Sequence, residues 1–416
     1  MFGDKRESVF GFHQLMNSIV VLDEIQSYKN TLWGEIIYFL KEFSQLLNIK
    51  VLIMSATLPN FDLLSKNTYP AVTLLGEKEK YFSNTCFKNR VTLSYDLLET
   101  ENIEEELLEH ICKAAQTEKK IVVEFIKKKT AEHFWKKVTE RLGEKCRVEY
   151  MSGDDSLAER SRILDLIKTD REQVIVLIAT QVIEAGIDID MDIGYKDISK
   201  LDSEEQFLGR INRSCLRSGQ VYFFDLDDAK SIYGEDVRSE ESFTLKTKEI
   251  RDLLARKEFF TYYEKILAVL QKNFNNAVGE KGLDYFFTEQ VGKGNFPKVK
   301  ERMRLIEEDR WSMTVYLARP LEDEQGRVLN GELIWEEYKA LLGDYTMPYA
   351  EKRIRLSNVK SRMNYFIYQI KRNENLVYND KIGEIFYIAD GMKYFDKGKL
   401  NREKIQGELG EFIDFI

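Results

Sequence analysis

Over its first 225 residues the chain alternates short apolar, β-rich runs with segments of helical spacing. That alternation limits the fold more than any other feature, because strands separated by helices build βαβ units and a parallel sheet. Ile19–Leu22, Lys50–Met54, Val91–Tyr95, Ile121–Ile126, Arg147–Met151, Gln173–Ala179 and Gln220–Asp225 read as strands. Thr31–Leu47, Glu104–Ala115, Thr130–Leu142, Ser156–Lys168 and Ser203–Asn212 read as helices, and Ser156 with Glu159 has the spacing of a capping box.

The units are unequal. Residues 1–84 read as the C-terminal part of a first lobe and 85–228 as a complete second lobe. Residues 229–275 read as a linker, with Ser242–Asn275 as one long helix, and 276–416 as an α+β C-terminal accessory domain. The expected class is α/β, with parallel sheets flanked by helices.

Composition removes several function classes. Against 71 acidic residues stand 62 basic ones, a net charge of −9, which disfavours coating nucleic acid through bulk charge but leaves room for a local basic channel. Cys86, Cys112, Cys146 and Cys215 lie far apart with no CxxC pair, which fits a reducing, cytoplasmic setting rather than a disulfide or zinc framework. None of His13, His110 and His133 is followed by Asp, so a nuclease built on a His-Asp metal doublet is excluded within these residues. Apolar runs such as Val174–Ala179 are far shorter than the roughly 18 residues a membrane span needs, so no membrane partner is expected.

Four segments carry chemistry. In Ile19–Gln26, IVVLDEIQ, a buried strand ends in two acids, where a parallel sheet opens on its ligand crevice. In nucleoside triphosphatases that place holds a magnesium-binding aspartate, here Asp23, and Glu24 is placed to polarise the attacking water. In Leu52–Pro59, LIMSATLP, a strand ends in Ser55 and Thr57, small hydroxyl residues that can link neighbouring carboxylates to a more distant surface. In Leu177–Asp190, LIATQVIEAGIDID, Thr180 follows the strand and can offer hydroxyl and backbone to a phosphate, while Gly186 permits a tight turn from which Asp188 projects. In Glu204–Arg213, EEQFLGRINR, helical spacing places Gln206, Arg210 and Arg213 on one face, and guanidinium forks suit a polyphosphate. Taken singly, each segment also has a bland reading as a strand end, a turn or a solvated helix face.

In this order, DExx, SAT, ATxxxxxGxD and QxxGRxxR resemble motifs II, III, V and VI of the DExD/H helicase superfamily. The wording DEIQ, SATLP, ATQVIEAGIDID and QFLGRINR is most similar to the CRISPR-associated helicase of type I interference systems, over Ile19–Arg213. The resemblance implies two RecA-like lobes that bind ATP and Mg2+ in their cleft and single-stranded DNA across their top, closed by a C-terminal domain. It implies recruitment by an RNA-guided CRISPR surveillance complex. By motif match, Asp23 and Glu24 would handle the metal and water, and Gly186, Asp188, Gln206, Arg210 and Arg213 would face the nucleotide. Gln26, Ser55 and Thr57 would couple the sites, and Thr180 would touch the DNA backbone.

Two departures qualify the resemblance. Gln26 stands where many members have histidine, which keeps hydrogen bonding but removes a titratable group. The phosphate-cradling GxxxxGK[ST] occurs nowhere, and Val291–Asn295 has no Ser or Thr after its lysine. The expectation is therefore an ATP-dependent DNA translocase lacking its N-terminal part and inactive alone, whose Ile19–Asn84 elements expose apolar faces. A separate nuclease or N-terminal half is then an expected partner. The alternatives are a non-enzymatic module that docks on DNA or on the surveillance complex, and a DExH RNA helicase of another family. Lys352–Arg372, with seven basic residues around Tyr365, Phe366 and Tyr368, reads either as a strand-guiding surface or, with more weight, as a solvated helix with core aromatics.

Overall fold

A computed structural model describes residues 11, 13–64, 70–76, 80–81, 83–84, 90–184, 186–276, 279, 282–304, 312–323, 326–372, 375–396, 399–401 and 404–405. Cys86 lies outside them; Cys112, Cys146 and Cys215 are free thiols.

The centre is a six-stranded, all-parallel sheet in the order β3-β8-β7-β4-β6-β5. Its strands are β3 (Val91–Ser94), β4 (Lys120–Glu124), β5 (Arg147–Met151), β6 (Ile175–Ala179), β7 (Ile193–Asp197) and β8 (Gly219–Phe224). All five residues of β6, IVLIA, are buried, the signature of a strand covered on both faces. One face is covered by α2 (Ile103–Ala114) and α3 (Lys128–Leu142) through Leu107, Ile111, Phe134 and Val138. On the other lie α4 (Leu157–Thr169) and α5 (Leu201–Leu208). Ser156 caps α4, its hydroxyl accepting the Glu159 amide at 3.3 Å.

β1 (Ile19–Asp23) and β2 (Lys50–Met54) form a separate two-stranded parallel sheet, joined by α1 (Trp33–Leu46). As expected, its strands expose apolar side chains, with Ile19 71% and Val21 53% accessible. The helix departs from that expectation. Trp33, Ile36, Ile37 and Phe39 of α1 are buried, because Trp33 and Ile37 enter the same core as Phe207, Tyr263 and Ile266, while Phe39 packs on Phe286. Glu35, fully buried on α1, is paired by Arg302 at 2.6 Å. Burial holds its carboxyl above the ordinary range against the pull of Arg302.

The expected long helix is two helices, α6 (Lys248–Arg256) and α7 (Phe259–Asn276). The break is at Lys257, whose φ of 59° lies in the left-handed region and ends α6. Further on, α8 (Phe296–Arg302) carries Arg302. A four-stranded mixed sheet then follows in the order β12-β9-β14-β13, made of β9 (Ser312–Leu317), β12 (Ile367–Lys371), β13 (Asp380–Ile382) and β14 (Ile385–Ile388). The short hairpin β10 (Pro320–Glu322) and β11 (Val328–Asn330) precedes α9 (Gly331–Gly343) and α10 (Tyr349–Met363). Tyr316, Trp335, Tyr338, Phe366 and Tyr387 share the core between these two helices and the sheet. No described helix is long and apolar enough to cross a membrane.

Candidate functional site

The IVVLD strand ends where its pairing with β2 ends, and the chain turns at once. Glu24 takes the left-handed conformation, φ 51° and ψ 44°, with its amide on the Met54 carbonyl at 3.0 Å. A glutamate held there is unusual, and the turn swings its side chain away from the strand. Glu24 Oε2 accepts Gln206 Nε2 of α5 at 3.1 Å and also accepts Gln26 Nε2. The acidic end of the small sheet and the glutamine of QFLGRINR therefore touch, 182 residues apart in sequence. Asp23 is exposed beside them, its Oδ1 accepting the Glu24 amide at 3.0 Å. Among the described residues no group of three or more His, Cys, Asp or Glu could by itself hold a metal ion.

The expected single helical face of Gln206, Arg210 and Arg213 is corrected. The helix stops at Leu208, so only Gln206 is on it, and Arg210 and Arg213 lie in the turn that follows. Two bonds to the neighbouring segment cause this: the Met191 amide donates to the Arg210 carbonyl at 2.9 Å and the Asn212 amide to the Met191 carbonyl at 2.8 Å. Asn212 is left-handed, with φ 45°. Arg90, just before β3, donates to the carbonyls of Leu208 (3.0 Å) and Ile211 (3.1 Å), while the Asn212 amide group returns a bond to the Arg90 carbonyl at 3.0 Å. The Leu208 carbonyl, at the helix end, also accepts the Ile211 amide at 3.2 Å.

The two arginines differ. Arg210 Nε donates to the Ile183 carbonyl at 2.8 Å and Nη2 to the Glu184 carbonyl, so it braces the ATQVIEAGIDID segment. Arg213 is exposed, its amide held by Asp190 at 2.7 Å and its guanidinium 3.0 Å from Asp188. Gly186 is exposed at φ 72°, a conformation glycine adopts without strain. Thr180 departs from the expectation: it is 3% accessible and its amide donates to the Met151 carbonyl at 3.1 Å, continuing the ladder instead of facing a phosphate. Ser55 Oγ accepts the Thr57 amide at 3.0 Å, and buried Thr57 lies 3.5 Å from the Tyr263 hydroxyl on α7. Gln26, fully buried, reaches across by its backbone: Arg238 Nη1 donates to its carbonyl at 2.6 Å.

Sequence reasoning missed a buried ionic cluster behind these segments. Lys196 of β7 is wholly buried, with Nζ 2.7 Å from Glu124 at the end of β4 and 3.7 Å from both Glu184 and Glu204. It also donates to the Asp197 carbonyl at 3.0 Å. Burial works against its charge, but the three carboxylates outweigh it and hold the ammonium charged. Burial in turn pushes Glu124 well above the ordinary carboxylate range, Glu204 up to about 7 and Asp197 up to about 8. Ser203 donates its hydroxyl to Glu184, and the Ser199 amide donates to Glu204 at 2.6 Å, so the cluster fastens α5 to the ATQVIEAGIDID segment. The available signal was charge at the end of two buried runs, KIVVE and IGYKD.

The basic stretch 352–372 follows its bland reading in part: α10 ends at Met363, and the aromatic residues sit beyond it, in the turn and on β12. Phe366 and Tyr368 are buried in the core and Tyr365 is half-buried. Arg355 pairs with Glu351 and Arg362 with Glu337, while Lys352 donates to the carbonyls of Leu342 and Asp344.

Residues 117–215 match the family model described as CRISPR-associated nuclease/helicase Cas3, C-terminal. A putative CRISPR-associated nuclease/helicase Cas3 of Methanocaldococcus jannaschii is 28% identical over 210 residues, which cover 49% of this chain and 28% of the relative. The CRISPR-associated nuclease/helicase Cas3 of Methanothermobacter thermautotrophicus is 27% identical over 239 residues, 51% of this chain and 25% of the relative. The chain thus matches only about a quarter of the length of these relatives. In fold it is similar to the crystal structure of T. fusca Cas3 with ATP, at a TM-score of 0.52 and 12% identity, over 89% of this chain and 50% of that one. The two-stranded and six-stranded parallel sheets correspond in fold to the RecA-like lobes of that helicase. Over the part that these relatives share with it, the chain is similar in sequence and in fold to Cas3 nuclease/helicases.

Proposed function

We propose that the chain supplies the second nucleotide-facing lobe, and the acidic turn of the first, to an ATP-driven translocase that moves single-stranded DNA. The observation that supports this is the 3.1 Å bond from Gln206 to Glu24, which brings the DEIQ turn against the segment carrying Arg210 and Arg213. The relatives are named nuclease/helicase, and T. fusca Cas3 was solved with ATP, ADP and AMPPNP.

The donor set fits a nucleotide in part. Asp23 offers an exposed carboxylate, and magnesium in such sites takes one or two carboxylates plus phosphate and water oxygens. ATP with that ion supplies the phosphoryl group whose transfer powers movement. Glu24, held on its turn, would orient the attacking water. Arg213, exposed and paired with the exposed Asp188, would present its guanidinium to phosphate oxygens. Arg210 keeps the ATQVIEAGIDID backbone in place for it. The 416 residues contain no GxxxxGK[ST] cradle, so this polypeptide alone is expected not to turn over ATP.

A chain of similar fold belongs to a CRISPR RNA-guided surveillance complex in its pre-nicking state, and such a complex would be the partner. In a polypeptide that also carries the cradle, Glu24→Gln and Arg213→Ala each lower DNA-stimulated ATP hydrolysis by about 10³-fold or more. Retained turnover in both variants removes the assignment. Hydrolysis at ordinary helicase rates by the 416-residue chain alone overturns the expectation of inactivity.

A further inference from the structure

Arg238 lies outside every helicase-like motif, yet it touches the residues that join the two sheets. It is 1% accessible. Nε and Nη2 grip Asp236 as a fork, at 2.9 and 2.6 Å. Nη1 donates to the Gln26 carbonyl at 2.6 Å and to Asp202 Oδ2, on α5, at 3.2 Å. The guanidinium lies 5.1 Å from the Trp33 ring centre on α1. Asp236 also accepts Asn30 Nδ2 at 2.7 Å. Tyr263, the partner of Thr57, packs on the same Trp33 ring at 6.0 Å. Burial disfavours the charge, but Asp202 and Asp236 outweigh it, so Arg238 stays a cation in the interior.

We infer that Arg238 is a positioning residue that fixes the small sheet against the six-stranded one and thereby presents Glu24 to Gln206. Its five donors are set in a rigid plane, which lets one side chain serve an α5 carboxylate, the Asp236 loop and the DEIQ backbone together. Gln26 lies two residues after Glu24, so a carbonyl held there fixes the turn on which Glu24 stands. The inference deepens the proposed function and rests on it only for its effect on hydrolysis.

The test is amide hydrogen exchange of the 416-residue chain, read by mass spectrometry, with Arg238→Met and Arg238→Lys. Arg238→Met is expected to speed exchange in Ile19–Tyr28 and Trp33–Leu46 by about tenfold or more, leaving Ile175–Ala179 at wild-type rates. Arg238→Lys keeps the charge but loses the planar fork, and is expected to fall between the two. A uniform rise over all segments, or no change in Ile19–Tyr28, overturns the assignment. If Arg238→Met does not fold, Arg238→Lys decides by the same local-against-uniform criterion. No nucleotide enters this measurement, so its failure is distinct from failure of the ATPase reading. In a hydrolysing polypeptide, Arg238→Lys is expected to lower kcat by up to about 10²-fold with KM for ATP unchanged, and a rise in KM alone would contradict a positioning role.

Discussion

Replacing Lys196 by methionine tests whether the buried cluster holds the ATQVIEAGIDID segment to α5. The ammonium is wholly buried within 3.7 Å of Glu124, Glu184 and Glu204. Removing one partner of a buried pair costs about 3–5 kcal/mol, because the other charge is stranded. Methionine keeps most of the volume, so packing loss is a minor part. Neutrality then demands one further bound proton among the carboxylates. Relative to the unfolded chain, where a glutamate has the ordinary value of about 4.3, holding that proton costs about 4 kcal/mol at pH 7.5 and about 1.6 kcal/mol at pH 5.5. The first figure falls inside the range for a broken pair, so protonation is the route the variant takes. Lys196→Met should therefore destabilise β4 and β6 by about 3–5 kcal/mol at pH 7.5 and by less than half of that at pH 5.5. Native-state amide exchange of Lys120–Glu124 and Ile175–Ala179 at both pH values measures it. A loss below about 1 kcal/mol at pH 7.5, or one equal at both pH values, would refute the reasoning.

Two further outcomes follow from the same region. Glu204 and Asp197 have folded values of about 7 and 8, above those of the unfolded chain, so their contribution is complete in acid and is lost as pH rises through those values. Glu204→Gln, which keeps a carbonyl for the Ser199 amide, should flatten the decline in stability between about pH 5 and pH 7, visible in urea midpoints; an unchanged slope argues against a proton on Glu204. A β-carbon on Gly194 would stand 2.7 Å from Phe207 and 2.8 Å from Ile211, so Gly194→Ala should push α5 off β7 at a cost of about 1–3 kcal/mol, and a wild-type melting temperature would show that the helix is not seated there.

Much of the two parallel sheets could be read from the chain, and the reason is physical. Strands such as Lys50–Met54 and Arg147–Met151 and the Ser156 cap depend on local apolar runs and side-chain chemistry. β7, between β4 and β8, escaped because IGYKD carries a glycine and two charges. Gly194 is there so that Phe207 and Ile211 can approach, and Lys196 and Asp197 are buried because partners distant in sequence neutralise them or, for Asp197, because it takes amide bonds from Leu226 and Asp227. The end of α5 was misplaced for a related reason. Helical spacing continues through Asn212, but Met191 and Arg90 claim the backbone first. The segments that bear the candidate site were legible as motifs, whereas Arg238, Lys196 and Arg90 act through long-range contacts that leave no local pattern.

The mutual clasp between Arg90 and the turn after α5 has a mechanical consequence. Arg90 stands at the threshold of the six-stranded unit, where the polypeptide arriving from the smaller sheet first joins it. The three bonds tie Arg90 to Leu208, Ile211 and Asn212, so a displacement of Arg90 would be handed to the backbone that carries the neighbouring Arg213.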